Sequence, residues 1–515
     1  MDKIFKTVGL EGTYQKKLLI INLLTGLLPI IYAVQIQYLT KYPSFLVQKL
    51  KDGDSNKIYE LEYSPELCNP TIYKITKNPN KSVINWSYTF DLYCERDTYI
   101  TTITSIFFVG QMIGTLFIIP LSDKYGRSII LKTTVIISLI LHLNLLLSIG
   151  PIHLILINFI GGIFAPIFLI VFSLFAEFYP KNKNGLLIGI FNSVYPLLGI
   201  VLCLFFMVIS SWRVLYLITS LIHISYTYLT LKYFLESPRW LHSIGNKEKC
   251  LEIFTKLAIY NGKNEELVEF FNKNNNLINK LGTPFLESEE YNTNINKDLK
   301  KSYNIIQILK FKSQRIIFIK ITILYTCNTY NYFGITLNLG RMKGNFYLNT
   351  IFAFLGEFIC KLISGKLSDR FGRIFIILCC CALGIIGYIL YLISLSFKFL
   401  FIFISMIGFA GIFNILTIYQ PEIYPTKIRN ITYSYTSFIS RISPISAPII
   451  YQFFPKYFDS SFIIIAIIAT LIGITLEETL NKKIIDIIPE EQEDNGNCLK
   501  NKNYNSSGLL RVLLD

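Results

Sequence analysis

Three charged residues stand where charge is costly: Glu357 and Lys361 inside one apolar run, and Arg441 inside another. A charged side chain at the middle of a hydrocarbon layer costs at least about 2.5 kcal/mol, so such residues mark ion or substrate pathways. By helical rise, Glu357 lies about 15 Å and Arg441 about 18 Å from one end of their runs, and Lys361 about one turn closer to that end. Those depths are near the bilayer midplane, where transport sites lie. A guanidinium or ammonium there can hold a carboxylate, and a carboxylate can hold a cation or a proton. Glu357 and Lys361 are spaced i,i+4 in the favourable order and can neutralise each other. Arg441 is then the only net charge, unless it pairs with Glu357 itself. The nearby lysine favours an ionised Glu357 over a proton site. Aromatic candidates for the walls are Tyr195, Tyr330, Tyr332, Phe333 and Tyr419, since aromatic faces take organic rings and cations. With 40 Phe and 33 Tyr in the chain, a single aromatic is more often core or lipid-facing than part of a site.

A second set of charges recurs. LSDKYGR (Leu121 to Arg127) is matched by LSDRFGR (Leu367 to Arg373), and Asp123 and Asp369 are 246 residues apart. AEFYPKNKN, ending at Asn184, resembles PEIYPTKIR, ending at Arg429, with Glu177 and Glu422 245 apart. ESPR (Glu236 to Arg239) and LEET (Leu476 to Thr479) place Glu236 and Glu478 242 apart. Three landmarks at nearly one offset make the chain two homologous halves, the arrangement of a transporter with parallel repeats. In each island the aspartate is expected to accept from the N-terminus of a neighbouring helix, and the glycine to permit a tight turn. Arg127 is expected to pair with Glu177 or Glu236, and Arg373 with the second-half counterparts Glu422 and Glu478. With Arg239 and Arg429 these residues form a belt expected to join the halves in one state and release them in another. The bland alternative is a set of static turns that fix topology. Asn184 stands where the second half has Arg429, so the first-half belt is weaker or rearranged.

The elements that position these residues are membrane spans. The chain is 52% hydrophobic and 16% charged over 515 residues, more apolar surface than a soluble protein can hide. About twelve apolar spans emerge, near 18–39, 99–121, 128–149, 152–177, 185–208, 212–235, 315–339, 346–367, 373–395, 399–419, 429–452 and 460–480. Helices are the default, because lipid offers backbone groups no partners. The expected fold is therefore an all-α membrane protein of two six-helix halves. Residues 1–235 form the first half and 315–480 the second, with a linker at 236–314 and a tail at 481–515. The formal net charge is +15; much of the lysine lies in the linker and the tails, and lysine and arginine recur in the short loops around Lys124–Arg127, Lys181–Lys183, Arg370–Arg373 and Lys427–Arg429. That distribution follows the positive-inside rule rather than a nucleic-acid footprint. It places those loops, both termini and the linker in the cytoplasm, and the polar stretch 40–98 outside. Arg341 and Lys343 are exceptions on the outer side. The run from Leu18 is too long for a cleaved signal, with no small-residue site after it.

Outside the cell, Cys68 and Cys94 are a candidate disulfide, and Asn80 and Asn85 head two sequons that are candidate glycosylation sites. Cys379, Cys380 and Cys381 read as buried small hydrophobes. No Walker A sequence, nucleophile elbow or zinc-protease motif is present, and the four histidines lack metal spacing. The chain is read as no enzyme, with no cofactor and no metal. Its expected partners are the lipid bilayer and a small organic ion, moved by facilitated diffusion, exchange or coupling to a counter- or co-transported ion.

The islands resemble the signature loop of the major facilitator superfamily. The long first loop, the segment Trp86 to Arg127, ESPRW at 236–240 and PEIYPTKIRN at 421–430 resemble the organic ion transporters, which comprise the organic cation, organic anion and carnitine carriers. The resemblance runs from about Val8 to Pro489, and it departs in having fewer cysteines in the first loop. It implies alternating-access transport in the plasma membrane. It also implies that Lys361 and Arg441 occupy the places of a lysine and an arginine that serve anion recognition in organic anion transporters. Cation carriers look acidic at the second place, whereas carnitine carriers have arginine there. An anion or zwitterion is therefore favoured over a cation. Tyr332 and Phe333 fall on an aromatic pair of that family. Sugar porters are the second-ranked reading, because they lack the long first loop and carry a glutamine pair where this chain has YTCNTYNYFG. A non-transporting receptor on the same fold is a further alternative, against which the retained belts argue.

Overall fold

The computed structural model describes residues 2–9, 12–25, 35–49, 58–61, 63–79, 81–167, 170–171, 174, 178, 184–209, 211–273, 305–340, 342, 344–394, 396–424 and 428–480. The described first half contains α1 (Asp2–Val8), α2 (Thr13–Thr25), α3 (Thr98–Tyr125), α4 (Arg127–Leu146), α5 (Pro151–Phe164), α6 (Asn184–Val208) and α7 (Trp212–Tyr233). Three linker helices follow: α8 (Pro238–Ser243), α9 (Lys247–Asn261) and α10 (Asn264–Lys273). The second half contains α11 (Lys312–Asn338), α12 (Phe346–Phe371), α13 (Arg373–Ile393), α14 (Lys398–Ile423), α15 (Arg429–Ser440), α16 (Ile442–Phe453) and α17 (Pro455–Ile474). Among the described residues seven of these helices are long and apolar enough to cross a membrane, and α5 and part of α6 are shorter apolar helices.

Small residues let the helices of each half approach closely, since lipid gives no hydrophobic drive for helices to associate. A Cβ on Gly110 or Gly114 of α3 would stand 2.1 or 1.9 Å from a carbonyl oxygen of α5. The second half does the same between α13 and α14, where a Cβ on Gly408 would meet the Gly384 nitrogen at 2.3 Å. The halves meet where α3 packs on α16 and α6 on α12.

The two islands are copies in geometry as well as in sequence. Gly126 (φ 107°) separates α3 from α4, and Gly372 (φ 102°) separates α12 from α13. Both conformations suit glycine and strain any other residue. The face of the bundle that carries these turns is called the island face below. The opposite face carries a feature absent from the all-α expectation. β1 (Phe45–Lys49), β2 (Ile58–Leu61) and β3 (Tyr73–Lys77) form an antiparallel sheet in the order β2-β1-β3. Its signal is short, the period-two burial of YKITK and the buried Phe45 and Val47 of β1, and a long polar stretch masks it. A disulfide joins Cys68 to Cys94 with their Cα atoms 5.4 Å apart.

Asn85 corrects one expectation on this sheet face. Its Nδ2 donates to the Tyr38 and Lys41 carbonyls at 2.7 Å each, and its Oδ1 caps a short helix at Tyr88 N, 2.9 Å away. The atom that would carry a glycan is buried and used twice, so Asn85 is a structural cap. Asn80 lies outside the described residues.

The linker helices pack against the start of the chain. Asn261 of α9 accepts from Tyr14 N at 2.9 Å and donates to Val8 O at 3.0 Å, while Phe5 meets Phe254 edge-on.

Candidate functional site

A broken helix presents Arg441. α15 ends at Ser440 and α16 starts at Ile442, with Arg441 between them at φ −67°, ψ −14°. Pro444 supplies the cause, because it has no N–H and its ring clashes with the carbonyl four residues back, that of Ser440. The Ser443 hydroxyl donates to Thr326 O at 2.7 Å and ties the broken segment to α11. Arg441 Nε is buried with no hydrogen-bond partner among the described residues. Its charge interacts with the hydroxyls of Tyr325 and Tyr433.

Glu357 and Lys361 form an ion pair with Nζ 2.5 Å from Oε1, and their side chains are 0% and 9% exposed. The Tyr332 hydroxyl donates to the same Oε1 at 2.9 Å. The pair is thus internally neutral, and Arg441 has no carboxylate partner among the described residues. An aromatic wall links the two. Tyr325 and Tyr332 on α11 both face Phe413 of α14, with ring centroids 5.5 and 6.0 Å away. Lys361 Nζ stands 5.0 Å over the Tyr195 ring, so the first half closes the pair from the other side. Phe333 meets Phe108 of α3 edge-on at 5.1 Å.

Tyr195 and Tyr332 are therefore brought together with the buried Glu357–Lys361 pair, while Phe333 packs beside Tyr332 against Phe108. Tyr330 and Tyr419 are not part of this group. Tyr330 turns into the second half and bonds Ser461 at 2.8 Å. The Tyr419 hydroxyl donates to Glu477 O at 2.8 Å, beneath the island-face cluster. Tyr325, Phe413 and Asn414 join this site without a signal in the sequence. Asn414 donates to Ser364 at 2.9 Å and approaches Asn192 of the first half at 3.5 Å. They are uncharged residues of common types, and nothing in their spacing distinguishes them.

On the island face the second-half cap differs from the expected one. The carboxylate at the start of α4 is Glu236, which accepts from Arg127 N and Ser128 N at 3.0 Å each and from Ser237 N at 3.0 Å. Arg127 thus meets Glu236 through its backbone N–H. In the second half Glu478 caps α13, accepting from Arg373 N at 2.9 Å and Ile374 N at 3.0 Å, with further N–H groups from Thr479 and Leu480. A charged acceptor on such free N–H groups meets the positive end of the helix dipole. Asp369 does not cap a helix: it pairs with Arg373 Nη1 at 2.7 Å, while Glu422 takes Arg373 Nη2 at 3.0 Å. Thr479 donates to Glu422 at 2.6 Å. Arg239 stacks over Phe5 at 5.3 Å. These contacts close within each half rather than between halves. The side chains of Asp123 and Arg429, and all of Glu177, lie outside the described residues.

The two caps differ electrostatically. Burial raises the Glu236 carboxyl above its ordinary value despite its backbone donors. Burial also acts on Glu478, but four N–H groups outweigh it and hold that carboxyl below its ordinary value.

Between the halves, named bonds gather toward the sheet face. Tyr38, held within the first half by its bond to Gly199 O at 3.3 Å and its stacking on Phe206, meets Phe346 of the second half edge-on at 5.3 Å. Lys41 Nζ stands 4.5 Å over Phe346 and 4.9 Å over Tyr347. Ser105 donates to Ile445 O at 3.1 Å, and Thr101 bonds Gln452.

A family model described as Major Facilitator Superfamily matches residues 83–349 and 321–492. Organic cation/carnitine transporter 4 of Arabidopsis thaliana is 25% identical over 427 residues, covering 81% of this chain and 78% of that protein. Organic cation/carnitine transporter 2 of Rattus norvegicus is 26% identical, covering 77% of this chain and 71% of the relative. A solute carrier family 22 member 15-like protein of Xenopus tropicalis is 24% identical, covering 96% of each chain. Among solved structures, the inward open xylose transporter XylE of E. coli covers 93% of this chain and 98% of its own at TM-score 0.58 and 14% identity. That likeness speaks for the fold alone.

Proposed function

The chain belongs to the Major Facilitator Superfamily, and on that premise we propose that it moves small organic anions or zwitterions across a membrane by alternating access. Its relatives are named as organic cation/carnitine transporters, so small organic ions are the substrate class. The sign of the preferred charge rests on one observation. Glu357 is neutralised by Lys361, while Arg441, buried at Nε without a partner, keeps a positive charge facing the aromatic wall. A carboxylate supplies what that guanidinium lacks, in a medium where charge-assisted bonds are strong. A zwitterion such as carnitine adds a quaternary ammonium, which the Tyr332, Phe413 and Tyr325 faces can hold. The island face, rich in short basic loops, is assigned to the cytoplasm, and the disulfide-bonded sheet to the outside of the plasma membrane. In this reading the island clusters keep each half rigid while the halves rock.

The test is uptake of labelled carnitine, aromatic carboxylates and quaternary amines by cells expressing the wild type or Arg441→Ala. The wild type should accumulate carboxylates or carnitine, and the variant should lose that uptake by about tenfold or more. Quaternary-amine uptake by the wild type with no carboxylate or carnitine transport would overturn the assignment.

A further inference from the structure

Asn328 lies on α11 at i+3 from Tyr325 and i−4 from Tyr332, so the three share one stripe of the helix. Both tyrosines face Phe413, which sets Asn328 in the wall between them. One end of this wall carries the charge of Arg441, through Tyr325, and the other carries Glu357, through Tyr332. Asn328 is 1% exposed, and neither its Nδ2 nor its Oδ1 has a hydrogen-bond partner among the described residues. A buried amide without partners is destabilising, and an alanine or leucine would fit a span at no such cost. Asn331 also has both amide atoms without partners, but at i+6 from Tyr325 it falls off the stripe.

The chemistry of the amide narrows what it can recognise. It presents donors and an acceptor side by side, and a hydroxyl group satisfies both at once. A carboxylate satisfies only the donors, and an alkyl or aromatic group satisfies neither. We propose that Asn328 is a specificity-determining residue that hydrogen-bonds a hydroxyl group on the substrate, carried between its carboxylate and its other end. The transported class is then hydroxylated acids or hydroxylated zwitterions in preference to their deoxy analogues. A site built to bond a hydroxyl rejects the analogue lacking it, because its own buried polar group is left unpaired. The position of the hydroxyl relative to the carboxylate rests on the assignment of Arg441 above.

The experiment uses the full chain in proteoliposomes and three substrate pairs that each differ by one hydroxyl. These are carnitine and 4-trimethylaminobutyrate, 3-hydroxybutyrate and butyrate, and choline and ethyltrimethylammonium. The wild type should favour the hydroxylated member by about tenfold or more in kcat/KM. Asn328→Leu should bring the ratio near one by losing the hydroxylated member while keeping the deoxy member, which also shows that the variant folds. Asn328→Ser should restore part of the preference. A wild-type ratio near one in every transported pair, an equal loss of both members in Asn328→Leu, or no uptake of any of the six overturns the inference. A hydroxyl preference confined to the choline pair would keep the role of Asn328 and overturn the role of Arg441.

Discussion

Arg441 depends on a proline three residues further on. Pro444 stops the helix at Ser440, and the short break lets the guanidinium stand beside α11 instead of continuing the α15 face. Pro444→Ala should restore a continuous helix, shift Arg441, and raise KM for carboxylate substrates severalfold while the protein still folds. Uptake kinetics with a parallel thermal melt would check this, and an unchanged KM would count against it. Lys361 and Glu357 are coupled differently. Removing one partner of a buried pair leaves an uncompensated charge, at a cost of about 3–5 kcal/mol, whereas replacing both is often nearly neutral. Lys361→Met alone should therefore lower detergent-solubilised stability sharply, and Glu357→Gln with Lys361→Met should recover most of it. A double variant as unstable as the single one would argue that Lys361 is held by something other than Glu357. All three charges were legible because ionised groups in apolar runs stand out. Asn328, Phe413 and Asn414 were not, since an amide or a ring becomes informative only when its surroundings are known.

At the scale of elements, the islands show what repeated sequence does and does not specify. The repeat located the turns, and the glycines do hold left-handed backbone. In the second half Glu478 caps where Asp369 was expected to, because capping is set by which chain end arrives at a helix start, and that is a matter of tertiary packing. Glu236 and Glu478 come from the ends of α7 and α17, over a hundred residues away from the N–H groups they cap. The sheet was missed for a related reason, since its strands are too short to override the polar composition around them. The two caps should also part company with pH. The lowered Glu478 carboxyl contributes stability that is present above the ordinary carboxylate range and lost as pH falls through its own lower value. The raised Glu236 carboxyl has the opposite sign: its contribution is present below the ordinary range and is lost as pH rises through its raised value. Glu478→Gln should thus lower Tm by about 2 °C at neutral pH, and by less in acid. Glu236→Gln should have the smaller effect at neutral pH. Melting curves at the two pH values decide it, and a larger neutral-pH loss for Glu236→Gln would contradict this account.

For the whole molecule, the placement of contacts between the halves describes a state closed on the sheet face. Tyr38, Phe206, Phe346 and Tyr347 form the seal there, with Lys41 over the last two rings. Cation–π pairs of this kind contribute about 0.5–2 kcal/mol, and an aromatic pair a further 0.5–1.5 kcal/mol. An alternating-access protein keeps its two closed states within a few kcal/mol of each other, so losing one such contact should shift the populations visibly. A native thiol lies in position to report it. Cys203 is buried at this seal, with Sγ 3.6 Å from Tyr347 O. Phe346→Leu removes the ring that both Tyr38 and Lys41 touch while keeping most of the apolar volume. In that variant Cys203 should react with a membrane-impermeant maleimide, added on the sheet face, about tenfold faster than in the wild type, since 1.4 kcal/mol is a factor of ten in population. The same substitution on a Cys203→Ser background should abolish the increase and account for the exposed Cys379. An unchanged rate would mean that the seal is held by the Ser105–Ile445 and Thr101–Gln452 contacts of α3 and α16, and that the aromatic cluster only fills space.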